Sequence, residues 1–262
     1  WAEDWPGAWY YVDRPDLGWV MLAMAAALAL LVSWRMRAAV WYRVAAASVV
    51  FMLLIGQAAG LPTTRSAVAA MFDFDADHRM TLHMIAVGDG SCFIIEMPDA
   101  VWAFDCGSAG YVDLVPGSIG PTLRQARIHQ IDTLVLSHPD FDHFAAAPEL
   151  IEQFEIRRVL LTEHFMHEVK ANPHSAEAAL LKWIADEKPE VKIEAIERGW
   201  TQRVGEVAVR AVWPPADHEF THHNDASIVM RFTLHDGRLM LVGDAQQEAM
   251  ELMLGDDLEL TA

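Results

Sequence analysis

The apolar positions follow two different patterns along the chain, and the change comes near residue 80. Upstream, residues 18–34 and 44–60 carry no charged side chain, and each run is near the lower limit of about 17 residues for a membrane-spanning helix. Arg35, Arg37 and Arg43 lie between the two runs. Because short positively charged connectors stay on the cytoplasmic side, we expect a transmembrane hairpin whose following domain faces outward. Two buried helices of a soluble protein are the alternative interpretation.

Downstream, short apolar or alternating runs are separated by turn residues, which predicts strands. The predicted strands cover residues 81–87, 92–97, 101–105, 131–138, 158–162, 191–196, 204–213, 226–234 and 238–242. Helical spacing of apolar residues predicts helices over residues 121–129, 145–154, 175–187 and 246–254. Asp236-Gly237 is typical of a tight hairpin turn between the last two strands. Two β-rich halves with helices outside them predict an α/β fold of the αββα sandwich type.

The ends and the composition set the expected domain organisation. The chain has 262 residues and begins at Trp1, and we expect it to be a piece of a longer protein. We assign residues 1–60 to the end of a membrane domain, 61–79 to a linker and 80–262 to one soluble domain that is truncated at its C-terminus. The formal charge of −18 argues against a nucleic-acid partner, because such partners normally require a basic surface.

The two cysteines, Cys92 and Cys106, lie on either side of a predicted turn at residues 98–100. Cross-strand disulfides are often strained. We therefore expect two reduced cysteines in the core, while a disulfide stays an open alternative.

The strongest chemical signal is the segment Ser137–His143, which follows the apolar run 131–136 and contains two histidines and two aspartates. A buried strand delivers its last side chains to one edge of a sheet, and a turn there can fold the next polar residues around an ion. Imidazole and carboxylate groups together suit divalent transition metals. The sequence therefore predicts a metal site at the end of this strand.

The spacing of His138, Asp140, Asp142 and His143 resembles the HxHxDH signature of the metallo-β-lactamase superfamily, with Asp140 where the second histidine usually stands. Preceded by serine and with proline after the first histidine, this form is similar to the hydrolase domain of ComEC-type competence proteins, membrane channels that internalise DNA. Asp105 before Gly107, the stretch from Asn224 to Ser227, and Gly243-Asp244 also resemble motifs of that family.

The resemblance implies a metallo-β-lactamase αββα sandwich preceded by two transmembrane helices, and it implies roles for particular residues. The metal ligands implied are His138, Asp140, Asp142, His143 and Asp244, with His222 or His223 as a possible extra ligand. Asp142 and Asp140 would be catalytic, with Asp142 holding the attacking water. Asp105, Asn224 and Ser227 would support the ligands from behind. Two divalent ions are expected, and Asp140 favours manganese or magnesium over zinc because it makes the donor set harder.

Three departures from the ComEC-type pattern affect the prediction. Ala86 and Ser91 replace two acidic residues of the turn at residues 87–91, so we interpret that turn as structural. Residues 145–147 are alanines where two glycines are usual. The last family motif, His-His-Gly-Ser, is missing before Ala262, which we attribute to truncation.

The function that the resemblance implies is a multi-pass protein of the inner (cytoplasmic) membrane that takes part in DNA uptake during transformation. Its hydrolase domain would lie on the outer, periplasmic side and cleave DNA phosphodiesters. The expected partners are the membrane, single-stranded or double-stranded DNA, and other competence components. Two alternatives remain open: a membrane-tethered hydrolase of a small ester, lactone or thioester, and a catalytically inactive structural domain of a channel.

Overall fold

The structure is a computed structural model that describes residues 79–255, which fall within one compact unit. The predicted transmembrane segments 18–34 and 44–60 lie outside the described residues, and so does the predicted linker except for its last residue. Among the helices of residues 79–255, none combines the length and the apolar character needed to cross a bilayer.

The first sheet has six strands, arranged in the order in which they occur in the sequence. They are β1 (Thr81–Met84), β2 (Cys92–Glu96), β3 (Val101–Cys106), β4 (Thr133–Val135), β5 (Arg158–Thr162) and β6 (Lys192–Ile196). β1, β2 and β3 pair antiparallel, and β3, β4, β5 and β6 pair parallel. The carboxyl ends of β3, β4 and β5 therefore open onto one edge of the sheet, where ligands of α/β proteins commonly bind.

Helices lie between the parallel strands and cover one face of the first sheet. A π-helical turn (Val115–Ile119) leads into α1 (Gly120–Ala126), and β4 is followed by α2 (Phe141–Phe144) and α3 (Ala147–Gln153). After β5 come α4 (Glu163–Ala171) and α5 (Ala176–Glu187). Leu123, Leu150, Phe165 and Ile184 from these helices pack against the strands in one buried cluster.

The second sheet has four antiparallel strands in the order β10-β9-β8-β7. Its strands are β7 (Thr201–Val204), β8 (Val207–Trp213), β9 (Val229–Leu234) and β10 (Gly237–Leu241). A 3₁₀ turn (His223–Ala226) precedes β9, and α6 (Gln247–Gly255) follows β10.

The two sheets pack face to face through alternate residues of their strands. Trp102 and Phe104 of β3 meet Val209 of β8 and Phe232 of β9 in a common core, and the Trp102 and Phe232 rings meet edge to face. On the outer face of the second sheet, Ala249 and Met253 of α6 pack against Trp213 and Val229 among others. The predicted αββα order of layers is confirmed for the described residues.

Several predicted elements differ in their bounds. The strand predicted over residues 204–213 is β8, which begins three residues later because Gly205 with φ +55° lies in a two-residue turn between Val204 and Val207; β7 before that turn was not predicted. The helix predicted over 145–154 is α3, with Pro148 in its first turn, and the short helix α2 before it was not predicted. Helix α4 was not predicted; its start is capped by Thr162, whose Oγ1 accepts a hydrogen bond from Phe165 N at 2.9 Å. The hairpin between β9 and β10 is confirmed, with its two-residue turn at His235-Asp236 and Gly237 as the first residue of β10.

Candidate metal centre

The carboxylate of Asp105 organises the edge of the first sheet. Asp105 is fully buried near the end of β3, with a φ of +56° that non-glycine residues rarely adopt. Its oxygens accept hydrogen bonds from Ser137 N at 2.7 Å, Ser137 Oγ at 2.8 Å and Ser91 Oγ at 3.0 Å. His143 Nδ1 lies 2.8 Å from the same carboxylate. These four donors offset the cost of burying the charge.

These hydrogen bonds fix the state of both histidines. Because Ser137 Oγ donates its only proton to Asp105, it accepts from His138 Nδ1–H at 3.0 Å. His143 Nδ1–H donates to Asp105 directly. Both rings therefore direct Nε2 away from Asp105, and their centroids lie 4.2 Å apart. A carboxylate behind a histidine is the usual support of a metal-ligating imidazole.

His138 has the properties of a metal ligand. The residue is fully buried, and among the described residues its Nε2 has no hydrogen-bond partner. Asp140 Oδ2 lies 3.3 Å from this nitrogen, but not in hydrogen-bond geometry. Burial lowers the pKa of His138, and the neighbouring His143 lowers it further. A neutral imidazole with a buried, unprotonated ring nitrogen is the form that binds a metal.

The pKa of His143 is shifted in the opposite direction to that of His138. Burial lowers its pKa, but the hydrogen bond and the charge of Asp105, together with the charges of Asp244 and Asp142, raise it to about 9. Its Nε2 lies 3.4 Å from Asp244 Oδ1 and 3.6 Å from Asp142 Oδ2. At neutral pH this nitrogen carries a proton that a metal ion must displace.

Asp244 reaches the cluster from the second sheet. It follows Gly243, whose φ is +53° and whose hypothetical Cβ would lie 2.9 Å from Ser137 Cβ and 3.0 Å from Ser227 Cβ. The backbone N of Asp244 donates to Ser227 Oγ at 3.3 Å. One ligand atom each of His138, His143 and Asp244 lie within 4.8 Å of one another. The two sheets thus meet at a group of donors of metal-site size.

Asp140 and His223 form a second pair beside this group. His223 Nε2 lies 2.9 Å from Asp140 Oδ1, and its ring is stacked on His138 at a centroid distance of 6.3 Å. His222 contributes its backbone carbonyl, which accepts from Asp225 N at 3.0 Å. Of the predicted extra ligands, the structure brings His223 to the cluster.

Of the three residues predicted to support the ligands, two contact the cluster through their side chains and one contributes only its backbone. Asp105 and Ser227 make the contacts described above. Asn224 contributes a backbone carbonyl that accepts from Ser227 N at 2.9 Å, and so orders the turn before β9.

Sequence reasoning missed Ser91, which lies in the turn that it interpreted as structural only. Ser91 Oγ contacts both Asp105 at 3.0 Å and His143 Nδ1 at 3.1 Å. The turn also packs tightly on the metal loop, because a Cβ at Gly90 would lie 2.5 Å from the carbonyl oxygen of Asp142. The signal that could have indicated this is the glycines on either side of Asp89, which permit close approach of two backbones.

Asp225 was also missed, although it is buried beside the cluster. Its Oδ1 accepts hydrogen bonds from Gln246 N at 2.8 Å and Ala249 N at 3.1 Å, and so caps the start of α6. The cap of α6 is thus a residue outside this helix. Asp244, which lies just before α6, instead directs its carboxylate toward His143 Nε2 at 3.4 Å.

Cys92 and Cys106 are opposite each other on β2 and β3, buried and unbridged. Burial raises the pKa of both thiols. Protonated thiols make poor metal ligands and poor nucleophiles, so the expectation of two reduced core cysteines is confirmed.

An αββα sandwich with a histidine and aspartate cluster where its sheets meet defines a metal-binding class of α/β proteins. Residues 85–260 match the metallo-beta-lactamase superfamily, and the chain belongs to that superfamily. Its members are generally metal-dependent hydrolases.

Individual relatives are more distant. ComE operon protein 3 from Bacillus subtilis (strain 168) is 26% identical over 128 residues, which are 49% of this chain and 15% of that protein. The chain therefore spans a small part of this relative's length. The metallo-beta-lactamase fold protein YhfI from Bacillus subtilis aligns with a TM-score of 0.40 and 16% identity over 60% of this chain and 56% of YhfI. The FEZ-1 metallo-beta-lactamase from Legionella gormanii aligns with a TM-score of 0.43 and 14% identity over 62% of this chain and 60% of FEZ-1.

Proposed function

We propose that this metallo-beta-lactamase superfamily hydrolase cleaves DNA phosphodiesters as the metal-dependent domain of a membrane-anchored DNA-uptake protein. The observation that carries the hydrolytic part is the bare, buried Nε2 of His138 within 4.8 Å of donor atoms of His143 and Asp244. The DNA-uptake part is supported by the ComEC-type motif and by the similarity to ComE operon protein 3. The proposal places the protein in the inner membrane, with this domain on the periplasmic side and other competence components as partners.

The donors suit two divalent ions. On one side stand His138, Asp140 and His223, where the Asp140 carboxylate lies 3.3 Å from one histidine and 2.9 Å from the other. On the other side stand Asp142, His143 and Asp244, with both carboxylates within 3.6 Å of His143 Nε2. Three carboxylates among six donors favour manganese or magnesium over zinc.

Bound ions would polarise a phosphate group and lower the pKa of a water molecule so that hydroxide forms near neutral pH. The chain itself supplies orientation and proton handling. Asp105 holds His143 through Nδ1 and so directs Nε2 into the site. Asp142 is 30% exposed, which leaves its carboxylate accessible to a solvent water and able to accept the proton of the attacking nucleophile.

The test is cleavage of labelled single-stranded and duplex oligonucleotides by the full chain, with manganese, magnesium or zinc added separately. We expect cleavage with manganese, its loss with a chelator, and its loss in Asp244→Asn. Asp236→Asn, an exposed aspartate in the β9–β10 turn, is the matched control and should retain activity. Cleavage of lactones or thioesters without cleavage of DNA would contradict the DNA substrate. Metal binding without any hydrolysis would favour a structural domain.

Asp140 tests the identity of the metal. Asp140→His replaces an oxygen donor by a nitrogen donor, so it should raise zinc affinity and lower manganese-supported cleavage several-fold. Asp140→Ala should weaken binding of both metals. If neither variant changes metal titration or cleavage, Asp140 is not a ligand, and a site that includes His223 without it becomes the better assignment.

A further inference from the structure

Two aromatic side chains are exposed to solvent, one in the metal loop and one on the turn at residues 88–91 that packs against this loop. Tyr111 is 64% exposed and Phe141 is 56% exposed. Aromatic side chains bring a large gain when they are covered, and exposed ones beside a site commonly contact its ligand. Phe141 lies between the two candidate acids Asp140 and Asp142.

Phe141 is held in place from beneath. It is the first residue of α2, and its ring meets the Phe144 ring edge to face, with the ring centroids 5.7 Å apart. Phe144 is buried, and its ring centroid lies 6.3 Å from that of the fully buried Phe165. The exposed ring is therefore the outer member of a row of three aromatic rings that ends in the core.

Tyr111 is fixed by different contacts. Its backbone N donates to Ser108 Oγ at 3.1 Å, and Ser108 is buried. Its ring lies against Gly88, where a Cβ would come within 2.4 Å of Tyr111 Cε2. The same turn contacts the metal loop, because Ser91 N donates to the carbonyl of Asp142 at 3.3 Å. Phe141 therefore belongs to the segment that carries Asp142, and Tyr111 lies on the turn at residues 88–91 that packs against that segment.

The charge of the protein adds a second argument. A chain with a formal charge of −18 cannot hold a DNA strand through general attraction to its phosphates. Cations at the cluster can bind one phosphate group, but further affinity must come from contacts that do not depend on charge. Stacking of bases on aromatic rings is such a contact, and it tolerates any base sequence.

We propose that Tyr111 and Phe141 form a stacking platform for unpaired nucleobases next to the phosphate held at the His138, His143 and Asp244 cluster. This inference rests on the proposed function and specifies its substrate as single-stranded DNA. Bases in a duplex are already stacked on one another, so they must be unpaired and unstacked before they can reach the two rings. A platform for unpaired bases therefore selects single strands.

The test compares binding of a thymidine oligonucleotide with binding of an abasic strand of equal length, which has the phosphodiesters but no bases. Fluorescence anisotropy with the full chain and manganese gives the affinities, measured on strands with phosphorothioate linkages so that the cleavage expected from the proposed function does not consume them. We expect the native chain to bind the thymidine strand about tenfold or more tightly than the abasic strand. Phe141→Ala and Tyr111→Ala should each lower affinity for the thymidine strand about fivefold or more and leave abasic binding unchanged.

Two controls separate stacking from misfolding. Tyr111→Phe keeps the ring and should retain native affinity. Leu254→Ala changes a side chain that is 71% exposed at the far end of α6 from Asp244, and it should have no effect.

Equal native affinity for the two strands overturns the platform, and so does an equal loss on both strands in the alanine variants. Loss of binding to phosphatidylglycerol vesicles with unchanged oligonucleotide affinity also overturns it, because the rings would then belong to a membrane contact.

Cleavage of the abasic strand distinguishes this inference from the proposed function. Manganese-dependent cleavage without base-dependent affinity leaves the DNA hydrolase intact and overturns the platform. Base-dependent affinity that the alanine variants abolish supports the platform even if no strand is cleaved, and in that case the proposed hydrolysis of DNA is wrong.

Discussion

The two sides of the cluster are built in different ways. The histidine side, Ser137–His143, comes from one short segment, and both imidazoles are buried and tied to Asp105 directly or through Ser137. The aspartate side, Ser227 with Gly243 and Asp244, belongs to the second sheet. Its carboxylate is 45% exposed, and the hydrogen bond at 3.3 Å holds its backbone rather than its side chain.

The difference shows how order is distributed in the site. The histidine side is oriented before any ion arrives, so it loses little conformational freedom on binding. On the aspartate side, the carboxylate is placed by backbone conformation and can still adjust. A bound ion would join the two sheets at this edge, and we expect binding to stabilise the folded state by mass action.

The largest effect should follow from removing the anion on the histidine side. Asp105→Asn keeps the shape but replaces the oxygen that faces His143 or Ser137 by a donor. We expect metal affinity to fall by about 100-fold and the free energy of unfolding to fall by about 2–3 kcal/mol. Metal titration and urea denaturation measure both, with Asp236→Asn as the control. Native-like metal affinity in Asp105→Asn would show that the Asp105 carboxylate does not orient the two imidazoles, and the contrast between the two sides would be lost.

A smaller effect should follow on the aspartate side from Gly243→Ala. The new Cβ would lie 2.9 Å from Ser137 Cβ, and the φ of +53° is unfavourable for alanine. We expect Asp244 to shift, with about 30-fold weaker metal binding. Gly199→Ala is the matched control, because Gly199 has a φ of +95° but open space around its Cβ position. If Gly243→Ala and Gly199→Ala have the same metal affinity, the close approach of Gly243 to Ser137 has no effect of its own on metal binding.

The smallest predicted effect is the dependence of metal affinity on pH. The pKa of His143 is raised to about 9, so below that pH a metal ion must displace a proton from Nε2. Apparent affinity should therefore rise about tenfold between roughly pH 7 and pH 8. Calorimetric titration in buffers of different ionisation enthalpy measures both the affinity and the released proton. A flat profile would mean that His143 is already neutral, as His138 is, and would remove the contrast between the two histidines.

The fold was largely predictable because its sheets rest on local patterns. Arg158–Thr162 is predicted with its bounds, and the β9–β10 hairpin follows from its turn residues. The errors fall where a single residue changes the backbone: Gly205 lies in the turn before β8 and delays the start of that strand, and Arg127 with φ +66° ends α1 earlier than its apolar spacing indicates. The predicted transmembrane helices stay a prediction.

The site was predictable where its members are close in sequence. His138, Asp140, Asp142 and His143 share one loop, and their spacing after a predicted strand, together with the family resemblance, indicated them as candidates. Ser91 reaches Asp105, and Asp225 reaches the start of α6, only through tertiary packing, and neither has a sequence pattern of its own. The alignment of Asp105 with the loop required the parallel pairing of β3 and β4, which a single sequence does not reveal.

The position of Asp105 has a consequence for protein engineering. The orientation of both imidazoles depends on one carboxylate that lies 32 residues before Ser137 in the sequence, and the loop itself fits only because Gly107 leaves room for the backbone of Asp142. A graft of Ser137–His143 onto another scaffold, or a synthetic peptide of that segment, would carry the donors without the means of aiming them. The transferable unit is the pair of neighbouring strand ends with the turn at Ser91, not the motif as it is written in the sequence.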